Sequence, residues 1–239
     1  MPNFDYEAPT SLKTALGFLS GNGEIRPLAG GTDVIDQLKS NRRNAGLVVD
    51  LKRVPELLDL ELDEGRLRIG AAVSCTEVHN LTSENDCFPA LSEASELIGS
   101  IHIQNRASIG GNVCNAAPSA DTIPPLLVHE AVAHTASATG EREIPLIDFF
   151  AGPGQTVLQK GEILKELVLP ASSTKCRLCL PPFYPSKRDG YRCGRGWITN
   201  RSRTVIQHSK KGSYRSSICS SDTRQGIRSG AILRGFYRR

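Results

Sequence analysis

The 239-residue sequence has no apolar run near the roughly 18 residues that a membrane helix needs, and Met1 to Thr10 lacks the basic and apolar regions of a secretory signal. Both absences point to a soluble, cytoplasmic protein without a membrane partner. Neither of its two double-glycine stretches fits the G-x-G-x-x-G dinucleotide fingerprint or the G-x-x-x-x-G-K-[ST] phosphate loop. Cys75, Cys87 and Cys114 form no C-x-x-C and lack iron–sulfur spacing. His79, His102, His129 and His134 are scattered without ligand spacing, so they read as surface or core histidines. No metal site is expected.

What is present falls into two unlike pieces. From Met1 to Pro170 there are 13 Lys plus Arg against 23 Asp plus Glu; from Ala171 to Arg239 there are 16 against 2, with no Glu and eleven serines. The overall charge of +4 averages the two. Length and composition allow one large domain or two small ones in the acidic piece, with a real core. In the basic piece, Cys176 and Cys179 with Cys193 and Cys219 suggest a zinc site, and the charge suggests nucleic acid. The second cysteine pair is spread too far for a ribbon or finger.

Along the acidic piece, Phe4 to Tyr6 alternates as a short strand and Thr10 offers a cap for a helix carrying Leu12, Ala15, Leu16 and Leu19. Ile25 to Ala29 reads as a buried strand, Asp33 to Ser40 as a helix and Leu47 to Leu51 as another strand. The β-α-β-α-β order predicts a small parallel sheet over residues 1–54. From residue 55 to 170 the pattern is hairpin-like. Strands at Leu58 to Leu62 and Arg66 to Ala71 flank a turn at Asp63 to Gly65, and strands at Ala131 to Ala136 and Arg142 to Pro145 flank another at Thr139 to Glu141. Thr76 can cap a short helix carrying Val78 and Leu81, and helices are expected over Pro89 to Ile98 and over Thr122 to Val128, with an alternating strand closing at Leu169. This second unit is α+β.

Two glycine pairs organise the whole: LAGGTD at Leu28 to Asp33, and ASIGGNVCNAAPSAD at Ala107 to Asp121. Glycine reaches φ > 0 and lets backbone approach a bulky group closely, and successive N–H groups in such a turn form an anion nest. Two nests suit a diphosphate, although an ordinary turn explains either pair taken alone.

The stretches LAGGTDVI, NRASIGGNVCNAAPSADTIPPLL and PLIDFFAGPGQTVLQKGEIL together resemble the FAD-binding medium subunit of the molybdenum hydroxylases, the family of xanthine dehydrogenase, aldehyde oxidase and carbon monoxide dehydrogenase. The resemblance covers about the first 170 residues. It implies an α+β, two-subdomain FAD-binding fold, with a first subdomain over 1–54, a second over 55–170, and FAD held between them without a covalent link. Carried over by position, Leu28, Ala29, Gly30, Gly31, Thr32, Asp33, Val34 and Ile35 would wrap the diphosphate. Ser108, Ile109, Gly110, Gly111 and Asn112 would supply the second set of contacts. Asp121 would accept from a cofactor hydroxyl. Ile98 and Leu164 would pack against flavin or adenine, with core packing as the alternative, and Asp33 reads as a helix cap whose N–H alone meets the cofactor.

The implied role is electron transfer through FAD to NAD or another acceptor. Molybdopterin would sit on a large partner subunit and [2Fe–2S] clusters on a small one, and no catalytic residue would lie on this chain. Residues 171–239 depart from the family, which continues there into a third domain. Reading the codons possible for Lys187 to Cys193 one base later permits Asn-Glu-Met-Asp-Ile-Ala, a family segment, so the tail reads as an out-of-frame translation. Such a tail is expected to be disordered, to bind no nucleic acid, and to leave the chain with weak FAD binding or none. The rival readings are a stand-alone FAD-dependent oxidase or reductase, and a nucleic-acid-binding module acting through the tail.

Overall fold

The computed structural model describes residues 3–84 and 87–171 in full and, beyond them, the backbone of four strands. The chain opens with strand β1 (Asp5–Glu7) and helix α1 (Leu12–Leu19), which buries Ala15, Leu16 and Leu19 on one face. Ser11 caps α1, its hydroxyl accepting from Thr14 N–H, one residue beyond the expected Thr10. Strand β2 (Ile25–Leu28), helix α2 (Val34–Lys39) and strand β3 (Leu47–Asp50) follow. The strands pair in parallel in the order β1-β3-β2, the topology that the β-α-β-α-β pattern predicted.

A five-stranded antiparallel sheet, ordered β4-β5-β10-β6-β7, forms the rest. Its strands are β4 (Leu60–Asp63), β5 (Arg66–Gly70), β6 (Val132–Ser137), β7 (Gly140–Pro145) and β10 (Ile163–Leu169). The β4–β5 turn uses Glu64 and Gly65, both at positive φ, as a two-residue hairpin of right-handed twist requires. Strand β10 was expected to alternate. Instead six of its seven residues are buried, because it lies between β5 and β6 with both faces covered.

Helices α3 (Cys75–Ser83), α4 (Pro89–Glu96), α5 (Ile101–Gln104), α6 (Ile109–Asn115) and α7 (Ile123–Val128) lie between β5 and β6 in the chain. Helix α3 begins at a full capping box of Ser74 and Glu77, not at Thr76. Leu67, Ile69 and Leu167 of the sheet share one core with Val78, Leu91, Ile109, Val113 and Leu126 of the helices. A small hairpin of β8 (Phe150–Gly152) and β9 (Gln155–Thr156) follows β7.

The two units are welded by a second core. Leu16 and Leu19 of α1 and Val49 of β3 meet Leu57, Ala72, Ala136 and Ile163 from the larger unit. Burying a leucine, isoleucine or valine of this kind stabilises by about 1.5–3 kcal/mol. The glycine stretches therefore sit on one rigid scaffold.

In the tail, strands β11 (Arg177–Cys179), β12 (Gly196–Asn200), β13 (Arg203–Lys210) and β14 (Ser213–Ser220) pair antiparallel in chain order, where the composition predicted disorder. Cys176 and Cys193, two of the four tail cysteines whose spacing argued against a zinc site, lie outside the described residues.

Candidate functional site

Helix α2 starts immediately after the first glycine pair, and the chain between β2 and α2 turns through Gly30 to Asp33. Gly31 adopts φ +78°, which a side chain would strain. Gly30 has a different reason. A Cβ there would stand 2.3 Å from the Arg106 carbonyl oxygen and 2.7 Å from Ala107 Cα, so the first turn lies directly on the segment that leads into the second glycine pair. Gly110 likewise brings its backbone against Ala71, where a Cβ would approach that carbonyl oxygen to 2.5 Å.

The second pair is not a turn. Gly110 and Gly111 are the second and third residues of α6, and neither has positive φ. The nest geometry expected at both stretches is thus confined to Gly31. At α6 the first-turn N–H groups take its place, because helix geometry leaves them without intrahelical partners. Ser108 Oγ accepts from Gly111 N–H at 3.0 Å. The N–H groups of Gly110, and those of Gly30, Gly31, Thr32 and Asp33, make no hydrogen bond among the described residues.

Both stretches line one cavity of about 290 Å3, near the lower end of the range for small-molecule sites. Of the residues expected at the site, Ala29, Gly30, Gly31, Thr32, Asp33, Val34, Ile98, Ser108, Gly110, Gly111, Asn112 and Leu164 line it together. Four do not. Leu28 and Ile109 are core residues; Ile35 lines a second cavity of about 310 Å3, which shares Gly30 to Thr32 and adds Lys39, His102 and Arg106. Asp121 is half-buried outside the lining, its carboxyl pushed up by burial. Asp33 holds the N-cap position of α2, but its side chain caps nothing.

The lining also includes residues that the sequence pattern left unmarked. Arg26, Gln37, Arg43 and Asn115 are polar, and Ala71, Ala72, Leu158 and Ile163 are apolar. Asn115 falls inside the quoted glycine motif and was legible there. The arginines belong to no motif and reach the cavity only through the fold.

Glu162 braces the wall. Arg142 donates to it at 2.6 and 2.7 Å, Thr135 Oγ1 at 2.6 Å and Gln159 N–H at 2.7 Å, so its carboxylate is fully engaged. Burial opposes its ionisation, but these donors outweigh burial and hold its pKa at about 2. On the far side of Ala72, Lys52 Nζ donates to that residue's carbonyl at 2.7 Å, and burial lowers its pKa. Cys114 also lines the cavity, but burial pushes its thiol up to about 12, which leaves it protonated and unreactive at neutral pH.

This arrangement can hold an elongated ligand with an anionic middle and a flat apolar end. Unpaired N–H groups and two arginines meet the charge, and Ile98, Leu158 and Leu164 meet the ring. A flavin dinucleotide has that chemistry, and the residues fit it. Among the described residues no three His, Cys, Asp or Glu side chains are grouped to hold a metal.

Residues 2–172 match the family model described as the FAD binding domain in molybdopterin dehydrogenase. The chain is 36% identical over 160 residues to the xanthine dehydrogenase FAD-binding subunit of Escherichia coli O157:H7, covering 66% of this chain and 55% of that protein. It is 35% identical over 173 residues to the glyceraldehyde dehydrogenase medium chain of Sulfolobus acidocaldarius, covering 71% and 60%. The chain thus spans little more than half the length of these relatives. Carbon monoxide dehydrogenase from Hydrogenophaga pseudoflava has a matching chain at TM-score 0.74 and 25% identity, covering 91% of this chain and 74% of that one. Quinoline 2-oxidoreductase from Pseudomonas putida 86 matches at TM-score 0.74 and 23% identity, a likeness of fold.

Proposed function

The chain belongs to the family of FAD-binding domains in molybdopterin dehydrogenases, and from that premise we propose that it is the flavin subunit of an oxidoreductase of the molybdenum hydroxylase type. In this reading its partners are a large subunit with the molybdenum cofactor and a small subunit with iron–sulfur clusters. Electrons leave through FAD to NAD or another acceptor. The named relatives, a xanthine dehydrogenase FAD-binding subunit and a glyceraldehyde dehydrogenase medium chain, support it. The observation that carries it is the meeting of both glycine stretches on one cavity.

The flavin, when bound, supplies the redox chemistry; the protein supplies position and environment. The backbone N–H groups of Gly30 to Asp33 and of Gly110 would hold the diphosphate. Arg26 and Arg43 balance its charge. Ile98 and Leu164 exclude water from the ring. Glu162 fixes the strand that carries Leu164. In this reading no side chain among the described residues transfers a proton or attacks a bond. We further propose that residues 1–54 and 55–170 act as the two jaws of the site, and that the assembled enzyme works in the cytoplasm.

Titration of the apo chain with FAD, read by flavin fluorescence, tests the site, and it detects weak binding that desalting misses. Any binding is expected to be weak, saturable and one-to-one, with ADP competing and Gly31→Val abolishing it. FAD bound equally well by Gly31→Val overturns the assignment of the turn. Copurification of the native complex with molybdenum and iron tests the assembly.

A further inference from the structure

Gln37 and Asn115 lie 78 positions apart, yet Gln37 Nε2 donates to Asn115 Oδ1 at 3.1 Å and both side chains line the cavity. The elements that carry them are the two that carry the glycine stretches. Helix α2 grows out of the first turn through Ile35 N–H to Gly31 O (3.2 Å) and Gln37 N–H to Asp33 O (2.9 Å). Helix α6 contains the second pair and ends at Asn115. Because the first turn is hydrogen-bonded into α2 and the second glycine pair lies within α6, a bond between the helices fixes the distance between the two stretches.

A second tie runs beside the first. Arg43 Nη2 donates to the Gly154 carbonyl at 3.4 Å, and Gly154 N–H donates to the carbonyl of Ala116, the residue after Asn115, at 2.9 Å. Ala116 takes a left-handed conformation (φ 47°) at the end of α6. The two ties converge on the same end of the same helix.

We propose that Gln37 and Asn115 form an amide clasp that sets the spacing of the two glycine stretches, and so act as positioning residues for the dinucleotide. For the ligand this rests on the FAD reading above; for the protein it does not. Neither amide touches the reacting ring in this proposal. A clasp between helices predicts that loosening one side loosens both turns together, whereas an ordinary surface hydrogen bond affects only its own neighbourhood.

The test compares the full chain with Gln37→Leu, Asn115→Leu and the swapped double variant Q37N/N115Q, which keeps both amides and the combined side-chain length. Amide hydrogen exchange is measured on the apo proteins. Either leucine variant is expected to exchange about fivefold faster at the hydrogen-bonded amides of both stretches, Ile35 and Gln37 on one side and Gly111 and Asn112 on the other, the scale of one lost hydrogen bond, with exchange in β10 unchanged and the swap restoring both. Response at only one turn, equal acceleration in β10, or no rescue by the swap overturns the clasp. In the FAD titration, Kd is expected to rise about five- to tenfold in the leucine variants and to recover in the swap. The exchange measurements decide the clasp whether or not the wild-type chain takes up FAD.

Discussion

At the scale of single residues, glycines that look alike in the sequence do different work, and their substitutions should differ in sign. Gly17 lies in α1 with nothing within 4 Å of an added Cβ, so Gly17→Ala should stabilise by about 0.5–1 kcal/mol through lower unfolded-state entropy. Gly110 is also helical, but its Cβ would strike Ala71, and Gly110→Ala should lose about 1–3 kcal/mol in denaturant unfolding. Ionisable residues set the acid limit. His129 packs on Phe88 at 4.9 Å, and burial lowers its pKa to about 4. The folded form therefore takes up its proton later than the unfolded chain, and stability drains as pH falls from about 6.5 toward 4. Glu162, held at about 2, adds a second loss between about 4.3 and 2. Thermal unfolding against pH should fall in these two stages. His129→Phe should remove the first and leave the second.

At the scale of elements, periodicity revealed most helices and strands, and close packing decided their limits. The parallel unit was readable because α1 carries one apolar stripe and β2 leads straight into a glycine turn. Helix α6 was not readable: glycine is a poor helix former, and two glycines after a serine resemble a turn. Tertiary contact overrides that propensity, because only a residue without a Cβ lets α6 lie against Ala71. Caps were misplaced by a residue or two at Thr10 and Thr76, since serine and threonine neighbours compete for the position. The capping box at Ser74 makes its role measurable. Ser74→Ala should cost about 1 kcal/mol and Glu77→Ala less, read by urea unfolding. In β10, Leu167→Ala should cost about 2–5 kcal/mol, because it lies wholly buried in the central strand.

At the scale of the whole molecule, the shift from an acidic piece to a basic one at Ala171 coincides with the end of the family match at residue 172. The out-of-frame reading makes a definite prediction. Nucleotide sequencing through codons 171–193 should reveal a one-base displacement, and a tail peptide matched by mass from the source organism overturns it. The sequence by itself determined the family, the α+β class and the two glycine stretches that line one cavity, because these depend on local residue types in a fixed order. Only the tertiary structure decided that Arg26, Arg43 and Gln37 join those stretches, that Ile109 and Asp121 stay outside, and that the second glycine pair is helical. The reason is that a cavity is made by chain segments distant in sequence, and which side chains face it depends on the packing of α1, β3 and β10 rather than on any single stretch.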